Sequence, residues 1–384
     1  MRVVLYAHNV VPGDATGNIL LATLASLRQA GHDARVFAPL SGVRDRAIRR
    51  ADLGKVRRSR FFKAADVHLF EFGWTYELFD LLLEIEAPAR TIVRFHGITP
   101  RALMPQRLQD GIDRTSTQLV NAKRADLVLG ASEYAAAMLV AHGIDPARVR
   151  VLPLPVRLPI VDHRATTPGI TTLLFVGRLM PSKGTLDLLT ALAALRDGGT
   201  RDWRLRVVTD LASADPDYER LVRAFVGSAA LAPMIDHFGG VESREELARL
   251  YASSDAVIVP TYHDTYCLPM LEGLASRCAV IAYASGAVPE VASGLARLVP
   301  TGDIAALTLE IARLFECVAA RSVGIASGET IPREEFERRA HDRTRVLDGR
   351  TYDRALLAMM VEGDAGRMGR PSLTGRFASW WRSR

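Results

Sequence analysis

The stretch Leu173-Leu-Phe-Val-Gly-Arg-Leu-Met-Pro-Ser-Lys-Gly184 runs from an unbroken apolar segment into a turn punctuated by Gly177, Pro181 and Gly184. It then enters Thr185 to Arg196, where apolar residues recur at helical spacing. A short apolar run without alternation reads as a strand covered on both faces, as in a parallel sheet flanked by helices. The same unit recurs downstream. Strands are expected at Leu205 to Thr209, His237 and Phe238, Ala256 to Pro260, Ala279 to Tyr283, and Leu298 and Val299. Helical patterns at Asp217 to Val226, Arg244 to Ser253, Pro269 to Arg277 and Ile304 to Ala319 fill the gaps.

Upstream the alternation is just as regular. Val3 to Ala7, Ala34 to Ala38, Val67 to Phe72, Thr91 to Phe95, Leu127 to Leu129 and Val149 to Leu152 read as strands. Ile19 to Gln29, Tyr76 to Glu84, Gly111 to Arg124 and Glu133 to Ala141 read as helices. Pro153, Pro155, Pro159 and Pro168 interrupt both periods and mark a linker. The sequence therefore predicts an α/β protein of two Rossmann-like, doubly wound parallel-sheet domains. Their boundaries are 1–157, a linker 158–170, 171–345, and a C-terminal helix and basic tail over 346–384. Strand ends facing a shared cleft would form the ligand site.

Composition narrows the class. Apolar residues at 48% and charged residues at 24% are those of a globular chain. A net charge of +6 over 384 residues suits anionic substrates, an anionic membrane surface or nucleic acid, and charge alone does not choose among them. Cys267, Cys278 and Cys317 lack metal-ligand spacing, so neither a disulfide framework nor a zinc site is expected. Met1 to Val11 reads as a first strand rather than a secretion signal. A cytoplasmic location is the expectation.

Two segments carry chemistry. Arg178 and Lys183 flank the turn between a strand and a helix, bringing two cations and free N–H groups to one point, as a pyrophosphate requires. A solvated loop with two incidental basic residues has the same pattern. In Asp264-Thr-Tyr-Cys-Leu-Pro-Met-Leu-Glu272, two carboxylates straddle a loop and could grip hydroxyls of a polyol. Alternatively Asp264 is a turn residue, and Glu272, in the first turn of its helix, complements the dipole.

Together the two segments resemble glycosyltransferase family 4, a group of retaining enzymes with the GT-B fold. The likeness covers Met1 to about Val299 and includes Leu268 to Glu272 and Val288-Pro-Glu-Val291. The resemblance implies that Arg178 and Lys183 neutralise a donor diphosphate, Glu272 takes the ribose hydroxyls, and Asp264 holds a hydroxyl of the donor sugar. Backbone N–H groups of Tyr266, Cys267 and Leu268 would reach the sugar and phosphate. Gly17, in the loop Pro12-Gly-Asp-Ala-Thr-Gly-Asn18, would admit the phosphate closely, and His96 would lie near the transferred sugar. Catalytic roles thus fall to His96, Arg178, Lys183 and Asp264. No cofactor or metal is expected. The implied partners are a nucleotide-sugar donor, with GDP-mannose or a UDP-hexose first, and a glycan or lipid-linked acceptor of the cell-envelope or exopolysaccharide type; nucleic acid is not among them.

The chain also departs from that pattern. Asp264 stands where Glu is usual, Thr265-Tyr-Cys267 replaces Gly-Phe-Gly, Thr16-Gly17 replaces two glycines, and Leu154-Pro155 replaces Asn-Gly. Asp215-Pro-Asp217 has the spacing of a metal motif, yet reads as a helix start. Arg57-Arg-Ser-Arg60 with Phe61 and Phe62 reads as a solvated loop, with a surface for anionic lipid or a charged acceptor as the alternative. The tail from Arg367, with Trp380 and Trp381, would dock reversibly on an anionic membrane surface or fray. Beside the transferase reading stand a nucleotide-sugar 2-epimerase and a non-catalytic sugar- or nucleotide-binding scaffold.

Overall fold

A computed structural model describes residues 1–11, 15–159, 161, 169–326 and 328–361. Pro12 to Asp14 of the first loop, most of the linker and the basic tail lie outside the described residues. In the first domain seven strands form one sheet: β1 (Arg2–Tyr6), β2 (Asp33–Ala38), β3 (Ile48–Arg50), β4 (Val67–Phe72), β5 (Arg90–Phe95), β6 (Leu127–Gly130) and β7 (Val149–Val151). Their order in space is β3-β2-β1-β4-β5-β6-β7, and every pair is parallel. The second sheet has six strands: β8 (Thr171–Val176), β9 (Trp203–Val208), β10 (Ile235–Gly239), β11 (Ala256–Val259), β12 (Ala279–Tyr283) and β13 (Arg297–Val299). It is also wholly parallel, in the order β10-β9-β8-β11-β12-β13.

This topology decides where a ligand can sit. Each sheet starts in its middle and winds outward both ways, so the connections leave β1 and β4, or β8 and β11, toward opposite faces. A crevice opens at that switch point, beyond the strand carboxyl ends. In the second domain the loops after β8 and β11 are those carrying Arg178 with Lys183, and Asp264. The β4 and β11 strands are buried along their whole length; β11 is an unbroken apolar run, whereas β4 carries His68 and Glu71 inside it.

Three local readings are corrected. Tyr76 to Glu84 is not an α-helix but a 3₁₀ helix, Glu77–Leu83. Gln118 explains part of this, since its side chain bonds both the N–H and the carbonyl of Tyr76, as well as Asp80. The pattern at Gly111 to Arg124 divides into an α-helix, Gln106–Gln118, and a 3₁₀ helix, Leu119–Arg124. The basic segment at Arg57 is no solvated loop. It forms two short helices, Leu53–Arg58 and Arg60–Lys63, with Ser59 capping the junction. Phe61 is buried there under the Arg35 guanidinium, 4.0 Å from the ring centroid, and Arg57 pairs with Glu84.

The last described helix, Gly349–Val361, returns to the first domain. Its Asp353 accepts from Ser26 Oγ at 2.7 Å and from Arg157 Nη2 at 2.5 Å. No described helix is long and apolar enough to cross a membrane.

Candidate active site

On the second-domain side, β8 ends and Arg178 emerges exposed, with no hydrogen-bond or ion-pair partner among the described residues. The chain then makes a 3₁₀ turn, Pro181–Lys183, and passes through Gly184 into the helix Thr185–Asp197. Lys183 Nζ donates to Asp264 Oδ2 at 2.7 Å. The other Asp264 oxygen accepts from the N–H groups of Tyr266 at 3.1 Å and Cys267 at 2.8 Å. Burial pushes the Asp264 carboxyl up, but Lys183 and these N–H bonds outweigh it and hold the group below its ordinary range. Asp264 is therefore ionised and organises its own loop. The N–H groups of Tyr266 and Cys267, expected to reach a sugar and phosphate, are turned onto Asp264 instead.

Cys267 has φ 63° and ψ 62°, the left-handed conformation. The glycine usual at this place takes it without cost, whereas a side chain costs about 1–2 kcal/mol. The helix Leu268–Ala275 opens immediately after, so Glu272 falls in its second turn and not the first. That removes the helix-dipole reading of Glu272, since the effect fades beyond the first turn. Glu272 is buried, accepts from Tyr251 Oη at 3.2 Å, and has Arg244 no nearer than 3.8 Å. Burial raises its carboxyl to about 7, only partly opposed by Arg244 and Tyr251.

On the first-domain side, His96 follows β5, and its Nε2 lies 2.6 Å from Glu71 Oε2. Glu71 and Arg94 are direct register partners on β4 and β5, both buried, and form an ion pair. Arg94 also donates to Tyr352 Oη at 2.6 Å and Thr23 Oγ1 at 3.1 Å. Burial pushes the Glu71 carboxyl up, yet Arg94 and the His96 bond bring it down to about 2. Gly17 lies in the helix Ala15–Gln29, where a Cβ would stand 2.4 Å from the Val11 carbonyl oxygen. Its own strand-to-helix turn therefore already demands glycine there.

The two sides meet. Thr265 Oγ1 donates to the His96 carbonyl at 2.9 Å, and Ser132 Oγ donates to the Thr265 carbonyl at 2.7 Å. Gly97, at φ 93°, makes the approach feasible, because a Cβ would come within 2.3 Å of Thr265 Cγ2. Tyr266 Oη donates to the Leu154 carbonyl at 2.8 Å. Glu290, of the Val-Pro-Glu-Val segment, accepts from the N–H groups of Glu133 at 2.7 Å and Tyr134 at 3.1 Å, at the start of a first-domain helix. Asp215 caps the helix Pro216–Val226 through the Tyr218 N–H at 3.0 Å and pairs with Arg107 of the first domain at 2.8 Å. Asp217 pairs with Arg220. Those contacts carry the helix-start reading of Asp215-Pro-Asp217.

Sequence reasoning missed Glu71, Arg94, Ser132, Tyr251 and Tyr352, and quoted Glu290 only as part of Val288-Pro-Glu-Val291, with no role. A signal existed for the first two: one acid and one base inside adjacent strands that otherwise read as buried and apolar.

Residues 170–317 match the family model for glycosyl transferases group 1. The C-terminal domain belongs to the group 1 glycosyltransferases. The chain is 30% identical over 194 residues to an MMP alpha-(1->4)-mannosyltransferase of Mycolicibacterium hassiacum, covering 50% of this chain and 45% of that protein. A D-inositol 3-phosphate glycosyltransferase of Actinosynnema mirum is 32% identical over 215 residues, covering 49% of each. The chain thus spans about half the length of the curated relatives it matches. Among solved structures, sucrose-phosphate synthase from Thermosynechococcus elongatus superposes with a TM-score of 0.73 at 16% identity, covering 93% of this chain and 97% of that one. An alpha,alpha-trehalose-phosphate synthase (UDP-forming) from Burkholderia vietnamiensis gives 0.67 at 14% identity, covering 96% and 98%. These likenesses show the fold to be GT-B.

Proposed function

We propose that this chain is a retaining, metal-independent glycosyltransferase that moves a hexosyl unit from a nucleotide-diphosphate sugar to a glycan or lipid-linked acceptor. The observation that carries the reading is the placement of Arg178, Lys183 and Asp264 at the second-domain switch point, with Arg178 exposed and unpaired among the described residues. A free guanidinium beside a strand end supplies the bidentate donor set a diphosphate takes. Glu272, one helix turn beyond, is a carboxyl whose ionised form accepts two ribose hydroxyls. The mannosyltransferase and glycosyltransferase names of the relatives support a hexosyl donor and a polyol-like acceptor.

In the proposed reaction the C1–O bond to the diphosphate breaks, and Arg178 with Lys183 stabilises charge on the departing oxygen. The acceptor hydroxyl forms its new bond to C1 on the same face, and its proton passes to a leaving phosphate oxygen. His96 faces the transferred sugar. The chemistry needs no metal, because the two cations answer the diphosphate charge.

The test is a mass-spectrometric screen of nucleotide sugars in EDTA, with and without candidate acceptors. Acceptor-dependent release of nucleoside diphosphate, with a product of the donor's own anomeric configuration, is the expected result. Dependence on added Mg²⁺ or Mn²⁺, or an inverted anomer, would contradict it; free epimerised sugar without transfer would point to an epimerase. The same reading has the Arg367 to Arg384 tail, outside the described residues, hold the enzyme on anionic membranes near its acceptor. Co-sedimentation with anionic liposomes should weaken in a chain ending at Gly363, and equal binding by both chains removes the tail from the account.

A further inference from the structure

Glu71 and Arg94 lie side by side on β4 and β5, wholly buried, with Arg94 Nε donating to Glu71 Oε2 at 2.8 Å and Nη2 donating to Oε1. So deep an ion pair is poor value as a stabilising device, since desolvation offsets most of its attraction. What distinguishes this pair is its surroundings. On one side Glu71 Oε2 meets His96 Nε2 at 2.6 Å, where the imidazole reaches the cleft with 12% of its side chain exposed. On the other, Arg94 is bonded by Thr23 of the first helix and Tyr352 of the last. The ring is therefore tethered through three buried side chains to the helix Gly349–Val361, far along the chain.

An ionised carboxylate only accepts hydrogen bonds, so the ring nitrogen facing Glu71 carries the proton. In the neutral ring, Nδ1 is then the acceptor. That nitrogen makes no hydrogen bond among the described residues. We propose that Glu71, locked by Arg94 and Tyr352, is the positioning residue of His96: it fixes the Nε2–H tautomer and presents the Nδ1 lone pair to a hydroxyl group in the cleft. A group that donates O–H, such as a sugar hydroxyl, meets that lone pair; a phosphate or carboxylate oxygen does not. The proposal rests on the transferase reading for what fills the cleft, and on geometry alone for the tautomer.

Nitrogen-15 NMR of histidine-labelled full-length protein at neutral pH separates the two, because the tautomer is read without substrate. The His96 resonance is assigned by its loss in His96→Ala. The expected result is the Nε2–H tautomer in the wild type and its loss or mixing in Glu71→Gln. With a donor and acceptor pair, Glu71→Gln lowers kcat/KM about tenfold to a hundredfold, the worth of a hydrogen bond to a charged group. In a His96→Ala background the same change costs less than about twofold, since Glu71 acts through the ring. Should Glu71→Gln not fold, Glu71→Asp keeps the charge against Arg94 while drawing the oxygen back from the ring, and the tautomer should mix there too. An Nδ1–H tautomer in the wild type, an unaltered ring in the variants, or equal losses in both backgrounds overturns the proposal. Normal tautomer behaviour with no transfer from any nucleotide sugar would leave Glu71's hold on His96 standing and overturn the transferase reading instead.

Discussion

Glu71 and Glu272 are both buried, one in each domain, yet their carboxyls move in opposite directions. Glu71 falls to about 2 and Glu272 rises to about 7. Burial pushes both upward, so the difference lies in the partners. Glu71 has a guanidinium in direct contact and an imidazole at 2.6 Å, whereas Arg244 comes only within 3.8 Å of Glu272. The first is a finished network with its charge balanced inside the protein. The second is unfinished, a carboxyl held near neutrality until something supplies hydroxyl donors. On the proposed reading, positioning belongs to the first domain and ligand capture to the second.

Alanine substitution should separate the two roles. Glu71→Ala leaves Arg94 buried without its counter-charge and is expected to cost about 3–5 kcal/mol of stability, read from a denaturant midpoint. Glu272→Ala gives up one neutral-range hydrogen bond and should cost about 1 kcal/mol or less. Its effect appears in ligand binding instead, as a tenfold to hundredfold weaker affinity for the nucleoside diphosphate, about the value of hydroxyl bonds to a charged group. Comparable stability losses in the two variants would erase the distinction between a finished and an unfinished site.

A smaller effect sharpens it. Because folding raises the Glu272 carboxyl from 4.5 to about 7, the folded state holds its proton more tightly than the unfolded chain does. The resulting stabilisation is complete below about 4.5, falls as pH rises through the interval, and is gone above about 7. Glu71 has the opposite sign: its contribution is present above the ordinary carboxyl value and is lost only toward about pH 2. Glu272→Gln should flatten the slope of stability between about pH 4.5 and 7. A slope unchanged by that substitution means some other group titrates there.

The second-domain site was legible because it is nearly contiguous. Arg178 and Lys183 flank one turn, Asp264 and Glu272 flank another, and the strand periodicity places both turns at one switch point. Even so, the sequence could not reveal that Asp264 spends its oxygens on Lys183 and two N–H groups of its own loop. Nor could it reveal that Thr265, a departure from the usual glycine, bonds the His96 carbonyl across the cleft. The first depends on how two loops of the second domain pack together, and the second on the meeting of the two domains; no local pattern encodes either. The first-domain network was illegible for a related reason. Glu71, Arg94, His96 and Tyr352 come from three distant segments, and only strand register and the return of the last helix bring them together. The basic helices near Arg57 misled because Phe61 packs into the first-domain core with Arg35 of β2 over its ring, contacts made by residues far from its own segment.

Calorimetric titration of a nucleoside diphosphate into the full chain in EDTA, repeated across the range around pH 7, reads whether Glu272 ionises to hold the nucleotide. If Glu272 must ionise to accept the ribose hydroxyls, affinity in the wild type rises with pH through about 7, with proton release on binding. The same titration of Glu272→Gln should be weaker and flat. Tight binding that ignores pH and survives Glu272→Gln, or binding that appears only when a divalent metal is added, would contradict a nucleotide site built from Glu272, Arg178 and Lys183.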